Sequence, residues 1–175
     1  MSRFHRTLAI LAGVLWVVVV FSYTMLKTNV ALPGVWDSEV HQRRELRLIP
    51  LQGFFESQVW WGPLQNMVGN IGLFVPVGFL LVIVFAPRRP VRVATITGCV
   101  ISLTIEVSQF VFARGYSDVD DLIFNTLGAA LGAWIATRVP TKAVTTSIGL
   151  IVAVGLVAII PFALDGARWL RDAMQ

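Results

Sequence analysis

The sequence predicts an all-α fold, a polytopic bundle of about five transmembrane helices forming one membrane domain over residues 1–175. Three observations carry that prediction. Hydrophobic residues make up 56% of the chain and charged residues only 14%, against about 25% charged in an ordinary soluble domain. The mean hydropathy is +0.75. The apolar residues gather into five runs, each near the ~20 residues a bilayer core requires. Most prolines and most basic residues lie between those runs.

The first run, Leu8 to Met25, follows Arg3 and Arg6. A secretory signal has the same order of charge and apolar core, but its core is only about 7–15 residues. The longer run reads as an uncleaved first transmembrane helix. Lys27 to Gln65 is the longest polar stretch, broken by Pro33 and Pro50 and closed by Phe54, Phe55, Trp60 and Trp61. Aromatic residues of this kind favour the membrane interface, so the stretch is expected to lie on the surface or to dip shallowly. The second helix covers about Asn66 to Ala86 and stops at Pro87-Arg88-Arg89-Pro90. The third covers about Val93 to Ala113, the fourth Val119 to Thr137 and the fifth Ala143 to Leu164. A short amphipathic tail, RWLRDAMQ, ends the chain.

The formal net charge of +4 and the pI near 10.0 do not point to nucleic acid, because the basic residues flank apolar segments and there set orientation. With the N-terminus inside, the basic residues divide evenly between the two faces. The first helix usually dominates, and Arg3 and Arg6 favour a cytoplasmic N-terminus. The single cysteine, Cys99, excludes an intrachain disulfide framework and a cysteine-cluster metal site. No metal site or cofactor is assigned.

In this orientation three segments deliver polar residues to one membrane face. Glu106 lies in the third helix, where a charge near the bilayer centre costs roughly 2.5–3.5 kcal/mol and usually faces a cavity or a partner. Ser102, Glu106, Gln109 and Ala113 share one helical face. Asp121, Asn125, Gly128 and Gly132 share a face of the fourth helix, and Gly128-x-x-x-Gly132 is a pattern that lets helices approach closely. The second helix supplies Asn66 and Asn70, followed by Pro76, which removes a backbone donor and tends to kink a helix. Plainer readings stand beside these. Asp118 also suits a helix N-cap, and Asp120 and Asp121 suit the positive end of a helix dipole. Glu106 also suits a structural partner for Arg114. Asn66 and Asn70 also suit simple interhelical glue.

The spaced residues Asn66-x3-Asn70-x3-Phe74-x-Pro76-x-Gly78-Phe79, Glu106-x2-Gln109-Phe110, Arg114 and Asp118-x-Asp120-Asp121-x3-Asn125-x2-Gly128-x3-Gly132 resemble the VanZ family. The resemblance covers residues 66–132 as a VanZ-like core. The segment Arg47 to Leu51 is similar to the family's pre-helix segment, with Arg47 where Asn is expected and Leu51 where Phe is expected. The resemblance implies a multi-pass cell-membrane protein, in a family associated with low-level resistance to teicoplanin, a lipid-tailed glycopeptide. The family supplies a phenotype more than a reaction; the outward-facing polar pocket is itself read as binding a lipid-linked cell-wall precursor or a lipoglycopeptide, with membrane lipid as a partner. Glu106, Arg114, Asp118, Asp120 and Asp121 are then the acting residues, with Asn66, Asn70, Gln109 and Asn125 binding the ligand. Other readings stay open. The same residues suit an intramembrane enzyme, with Glu106 as general acid or base and the Asp cluster on Mg²⁺. They also suit a small ion-coupled transporter, or a scaffold locked by polar contacts.

Overall fold

The computed structural model describes residues 3–26, 45–57, 59, 61–112 and 116–173. Within them the chain runs α1 (Arg3–Phe21), a π-helical turn (Ser22–Leu26), β1 (Glu45–Arg47), α2 (Gln52–Glu56) and α3 (Trp61–Phe85). It continues through α4 (Pro90–Phe112), β2 (Tyr116–Asp118), α5 (Val119–Arg138) and α6 (Thr141–Ala173). Five helices are long and apolar enough to cross a membrane, so the fold is the all-α transmembrane bundle that the sequence predicts. Pro33, Trp60, Ala113 and Arg114 lie outside the described residues.

The element ends differ from expectation in several places, with α1 starting at Arg3 rather than Leu8 and α4 at Pro90 rather than Val93. Trp61 to Gln65 belong to α3 and not to the preceding loop. The expected C-terminal tail continues α6 as far as Ala173, because nothing between Leu164 and Ala173 breaks a helix. The surface stretch before α3 carries α2 and a three-residue strand. That strand pairs with β2 in parallel, Glu45 opposite Tyr116, Leu46 opposite Ser117 and Arg47 opposite Asp118.

The core forms where α3 and α5 meet. The two helices run parallel, since α4 carries the chain back between them. Their backbones touch. A Cβ on Gly78 would collide with the carbonyl of Ala129, one on Gly128 with that of Ile71, and one on Gly132 with that of Val75. In an apolar medium there is little hydrophobic drive between helices, so close van der Waals packing of small residues carries the association. Phe74, Phe79, Leu80 and Ile83 of α3 are buried beside Ala129 and Ala136 of α5. On the other flank α1 packs against α3 and α6. Its buried residues Ala9, Ala12, Trp16, Val19 and Val20 recur at helical spacing. Trp16 Nε1 donates to the carbonyl of Leu73 at 2.8 Å, within the turn that Pro76 disturbs by lacking an N–H. The carbonyl that Pro76 leaves without a helical donor is that of Gly72, one residue before the indole's acceptor. The spanning part of α6 is the least buried of the five.

This packing separates the glycines into two classes. Gly132→Ala and Gly78→Ala should each lower stability in micelles by about 1–3 kcal/mol, the usual cost of overpacking a tight contact. Gly149→Ala on α6, where a Cβ meets nothing within 4 Å, should be neutral or stabilise by about 0.5–1 kcal/mol. Equal effects at Gly132 and Gly149 would contradict the packing.

Candidate functional site

The site is built from the ends of α3, α4 and α5 on one side of the bundle, and each carboxylate in it holds a different element. Glu106 is buried on α4. Its Oε2 accepts the N–H of Asp118 at 2.9 Å, and its carbonyl accepts Ser117 Oγ at 2.7 Å. β2 is therefore held against Glu106. Asp118 is the N-cap of α5, its Oδ1 accepting from Asp120 N at 2.9 Å, which satisfies one of the donors a helix start leaves unpaired. Asp120 Oδ1 accepts the N–H of Leu51 at 2.7 Å. Leu51 has φ 62° and stands at the start of α2, a backbone region that L-residues seldom occupy. Asp121 Oδ1 accepts from Asn66 Nδ2 at 2.7 Å and from Asn70 Nδ2 at 2.6 Å. Asp120 and Asp121 also stand in the first turn of α5, where the helix dipole favours negative charge.

Deeper in the bundle two amides pair across elements. Gln109 Nε2 donates to the carbonyl of Thr24 at 2.9 Å, in the π-helical turn after α1. Asn125 Nδ2 lies 3.0 Å from Ser102 Oγ. Gln109 Oε1 and Asn125 Oδ1 are buried and have no hydrogen-bond partner among the described residues.

These residues bound two adjoining cavities. The larger, about 750 Å³, lies among α1, α3, α4, α5 and α6 and is lined by Asn66, Asn70, Glu106, Gln109, Asp121 and Asn125, with Trp16, Tyr23 and Leu73 on its apolar wall. The smaller, about 440 Å³, is lined by Arg47, Glu56, Asn66, Asp118, Asp120 and Asp121. Asn66 and Asp121 border both. The larger volume falls in the range of small-molecule sites, which are mostly apolar with a few placed polar groups.

Burial pushes the Asp118 carboxyl above its ordinary value. The N–H of Asp120 opposes that shift, the charges of Asp121 and Asp120 add to it, and Arg47 draws it down. Arg47 is thus the cation that the carboxylate cluster faces on β1.

Eight of the nine expected site residues fall within the described chain and gather around the two cavities. Arg114 is the exception, being outside the described residues. The plain reading of Asp118 as an N-cap holds. The three Asp side chains all line the smaller cavity, while their hydrogen bonds tie down α5, α2 and α3 respectively. No group of three His, Cys, Asp or Glu side chains suited to a metal ion occurs among the described residues. Sequence reasoning missed Thr24, Ser117 and Glu56. A polar residue at the end of an apolar run is a faint signal for Thr24, and the other two carry none.

A profile of the VanZ/LLP1 family matches residues 11–140. A protein named VanZ from Enterococcus faecium is 34% identical over 97 residues, covering 53% of this chain and 52% of the relative. The chain thus spans about half the length of that curated relative. No solved structure matches.

The capping geometry makes a paired prediction. Asp118→Ala should destabilise the protein by about 1 kcal/mol, the usual cost of losing an N-cap, whereas Asp118→Asn keeps the cap. Because the folded protein holds the Asp118 proton more tightly than the unfolded chain, stability should fall as pH rises from the ordinary carboxylate value to the raised one. Asp118→Asn should remove that part of the slope. Unfolding in micelles across acidic pH checks both points, and an unchanged slope would count against the buried carboxyl.

Proposed function

The chain belongs to the VanZ/LLP1 family, and from that premise we propose that it protects the cell envelope by binding a lipid-linked or lipophilic ligand in its polar cavity. The ligand is a lipid-linked cell-wall precursor or a lipid-tailed glycopeptide, and binding raises tolerance of teicoplanin. The observation that carries this reading is the larger cavity. A carboxylate, Glu106, and two amides are buried where apolar helices form the wall, and such groups within a membrane bundle mark a pathway or a site. A mostly apolar wall with a few convergent polar groups suits an amphiphile.

The roles follow from position. Glu106 and Asp121 face the ligand with Asn66, Asn70, Gln109 and Asn125 beside them. Asp118 and Asp120 stand at the adjoining mouth with Arg47. Arg114 is assigned to a phosphate or carboxylate of the ligand, since a guanidinium matches such groups bidentately. With the N-terminus cytoplasmic, the mouth faces the outer leaflet, where an external glycopeptide arrives.

The test is susceptibility to teicoplanin and vancomycin in a Gram-positive host carrying the wild type or Glu106→Gln at matched membrane levels. Only the wild type should raise teicoplanin tolerance. Equal tolerance in both strains would remove the cavity from the account. Orientation is read in the same host with Ser2→Cys in a Cys99→Ser background. An impermeant maleimide should label it only after permeabilisation, and labelling of intact cells would reverse the orientation.

A further inference from the structure

We propose that the end of the bundle opposite the cavities is a docking surface for anionic phospholipid. The proposal is independent of what the cavities bind. α1, α4 and α6 start at this end, and α3 and α5 finish there, since Thr24 at the close of the first span meets Gln109 at the other end. The surface carries Arg3 and Arg6 on α1, Arg88, Arg89 and Arg92 around the α3–α4 turn, and Arg138 and Lys142 at the α5–α6 turn. All seven are exposed. Every Asp and Glu among the described residues lies towards the opposite end. The nearest of them along a helix is Glu106, about 21 Å from Arg92 at the 1.5 Å rise of an α-helix. An ion pair needs contact within about 4 Å, so the seven cations find no counter-charge among the described residues. They repel one another, and anions from outside stabilise the surface.

The backbone presents these cations on two tight turns. α3 ends at Phe85 and α4 begins at Pro90. Between them Ala86 turns the chain at φ 44°, and Pro87 and Pro90 fix their own φ. The N–H of Ala86 donates to the carbonyl of Val82 at 2.9 Å, and that of Val93 to the carbonyl of Arg89 at 2.9 Å. At the second turn the N–H of Val139 donates to Ile135 at 3.0 Å and that of Ala143 to Pro140 at 2.8 Å. A backbone held in this way leaves less to order on binding. Trp134 sets the depth. Its ring is 47% exposed, and the guanidinium of Arg138 lies 4.9 Å from the ring centre. Exposed tryptophans gather at the membrane–water interface, so the cations stand at the level of lipid phosphates. That depth favours a lipid over a soluble acidic partner. Six of the seven are Arg, whose guanidinium matches a phosphate bidentately. A phosphatidylglycerol head keeps its negative charge, whereas the cation of a choline or ethanolamine head cancels it. With the N-terminus cytoplasmic, this is the inner leaflet.

The experiment uses the full chain in phosphatidylcholine vesicles. A nitrobenzoxadiazole label on Thr145→Cys, in a Cys99→Ser background, reports from the exposed first turns of α6 beside Arg138 and Lys142. Phosphatidylglycerol or phosphatidylcholine, spin-labelled near the top of one chain, is added at equal mole fraction, and quenching reads its enrichment at this face. Phosphatidylglycerol should be favoured about tenfold, because one basic side chain near an anionic lipid contributes about fivefold and several act together. Arg88→Gln with Arg89→Gln, and Arg138→Gln with Lys142→Gln, should each remove most of that preference. Arg168→Gln with Arg171→Gln, at the other end of α6, should leave it unchanged. Quenching by phosphatidylcholine should stay constant in every variant, which shows that the fold and the label are intact. Equal quenching by the two lipids in the parent protein would overturn the proposal and leave the face to an acidic protein. An equal loss from the Arg168 and Arg171 pair would overturn it as well. Displacement of phosphatidylglycerol by inorganic phosphate, beyond that caused by chloride of the same ionic strength, would assign the face to soluble phosphate instead.

Discussion

The backbone contact between α3 and α5 is the constraint on which the rest of the structure depends. Gly78, Gly128 and Gly132 let two parallel helices touch main chain to main chain. Ile71 stands at Gly128 and Val75 at Gly132, four residues apart on each helix, so the register is fixed over a full turn. That register carries upward to the polar end. It brings Asn66 and Asn70 of α3 within 2.7 and 2.6 Å of the same oxygen of Asp121 on α5. A larger residue at any of the three glycines would separate the helices and pull donors from acceptor at once.

Above that contact the carboxylates act as ties. Glu106 holds β2, Asp118 caps α5, Asp120 holds the entry to α2, and Asp121 holds α3. Charges are costly in such surroundings, and each of these offsets part of its cost by accepting hydrogen bonds from the main chain or from amides. The dipole of α5 contributes where Asp120 and Asp121 stand in its first turn. The network closes around a space and does not fill it. Two amide oxygens at its inner edge have no hydrogen-bond partner among the described residues, and the wall beyond them is mostly apolar.

Much of this was legible in the sequence. Apolar run length gave the five helices. Helical spacing placed Ser102, Glu106 and Gln109 on one face of α4 and Asp121, Asn125, Gly128 and Gly132 on one face of α5, and all seven are buried. The N-cap role of Asp118 was legible because Asp before an apolar run is a local signal. What escaped was non-local or very short. Strands of three residues, such as β1 and β2, carry too little alternation to be seen. Their pairing joins Arg47 to Asp118 across 71 positions of chain. The bond from Gln109 to Thr24 spans 85 positions, and no pattern within either helix announces it. The continuation of α6 through Ala173 was hidden by its change from apolar to charged residues, which alters the surroundings of a helix without ending it.

The most direct test of the account is a double-mutant cycle between Asn70 and Asp121, with Asn70→Ala, Asp121→Ala and the pair measured by reversible unfolding in micelles. If the α3–α5 contact delivers these side chains to one another, the two substitutions should couple by about 1 kcal/mol or more, as interhelical hydrogen bonds in membrane proteins do at their upper range. If their effects add to within about 0.3–0.5 kcal/mol, as independent sites do, the polar end of the bundle is not tied to its glycine contact, and the site must be built on some other support.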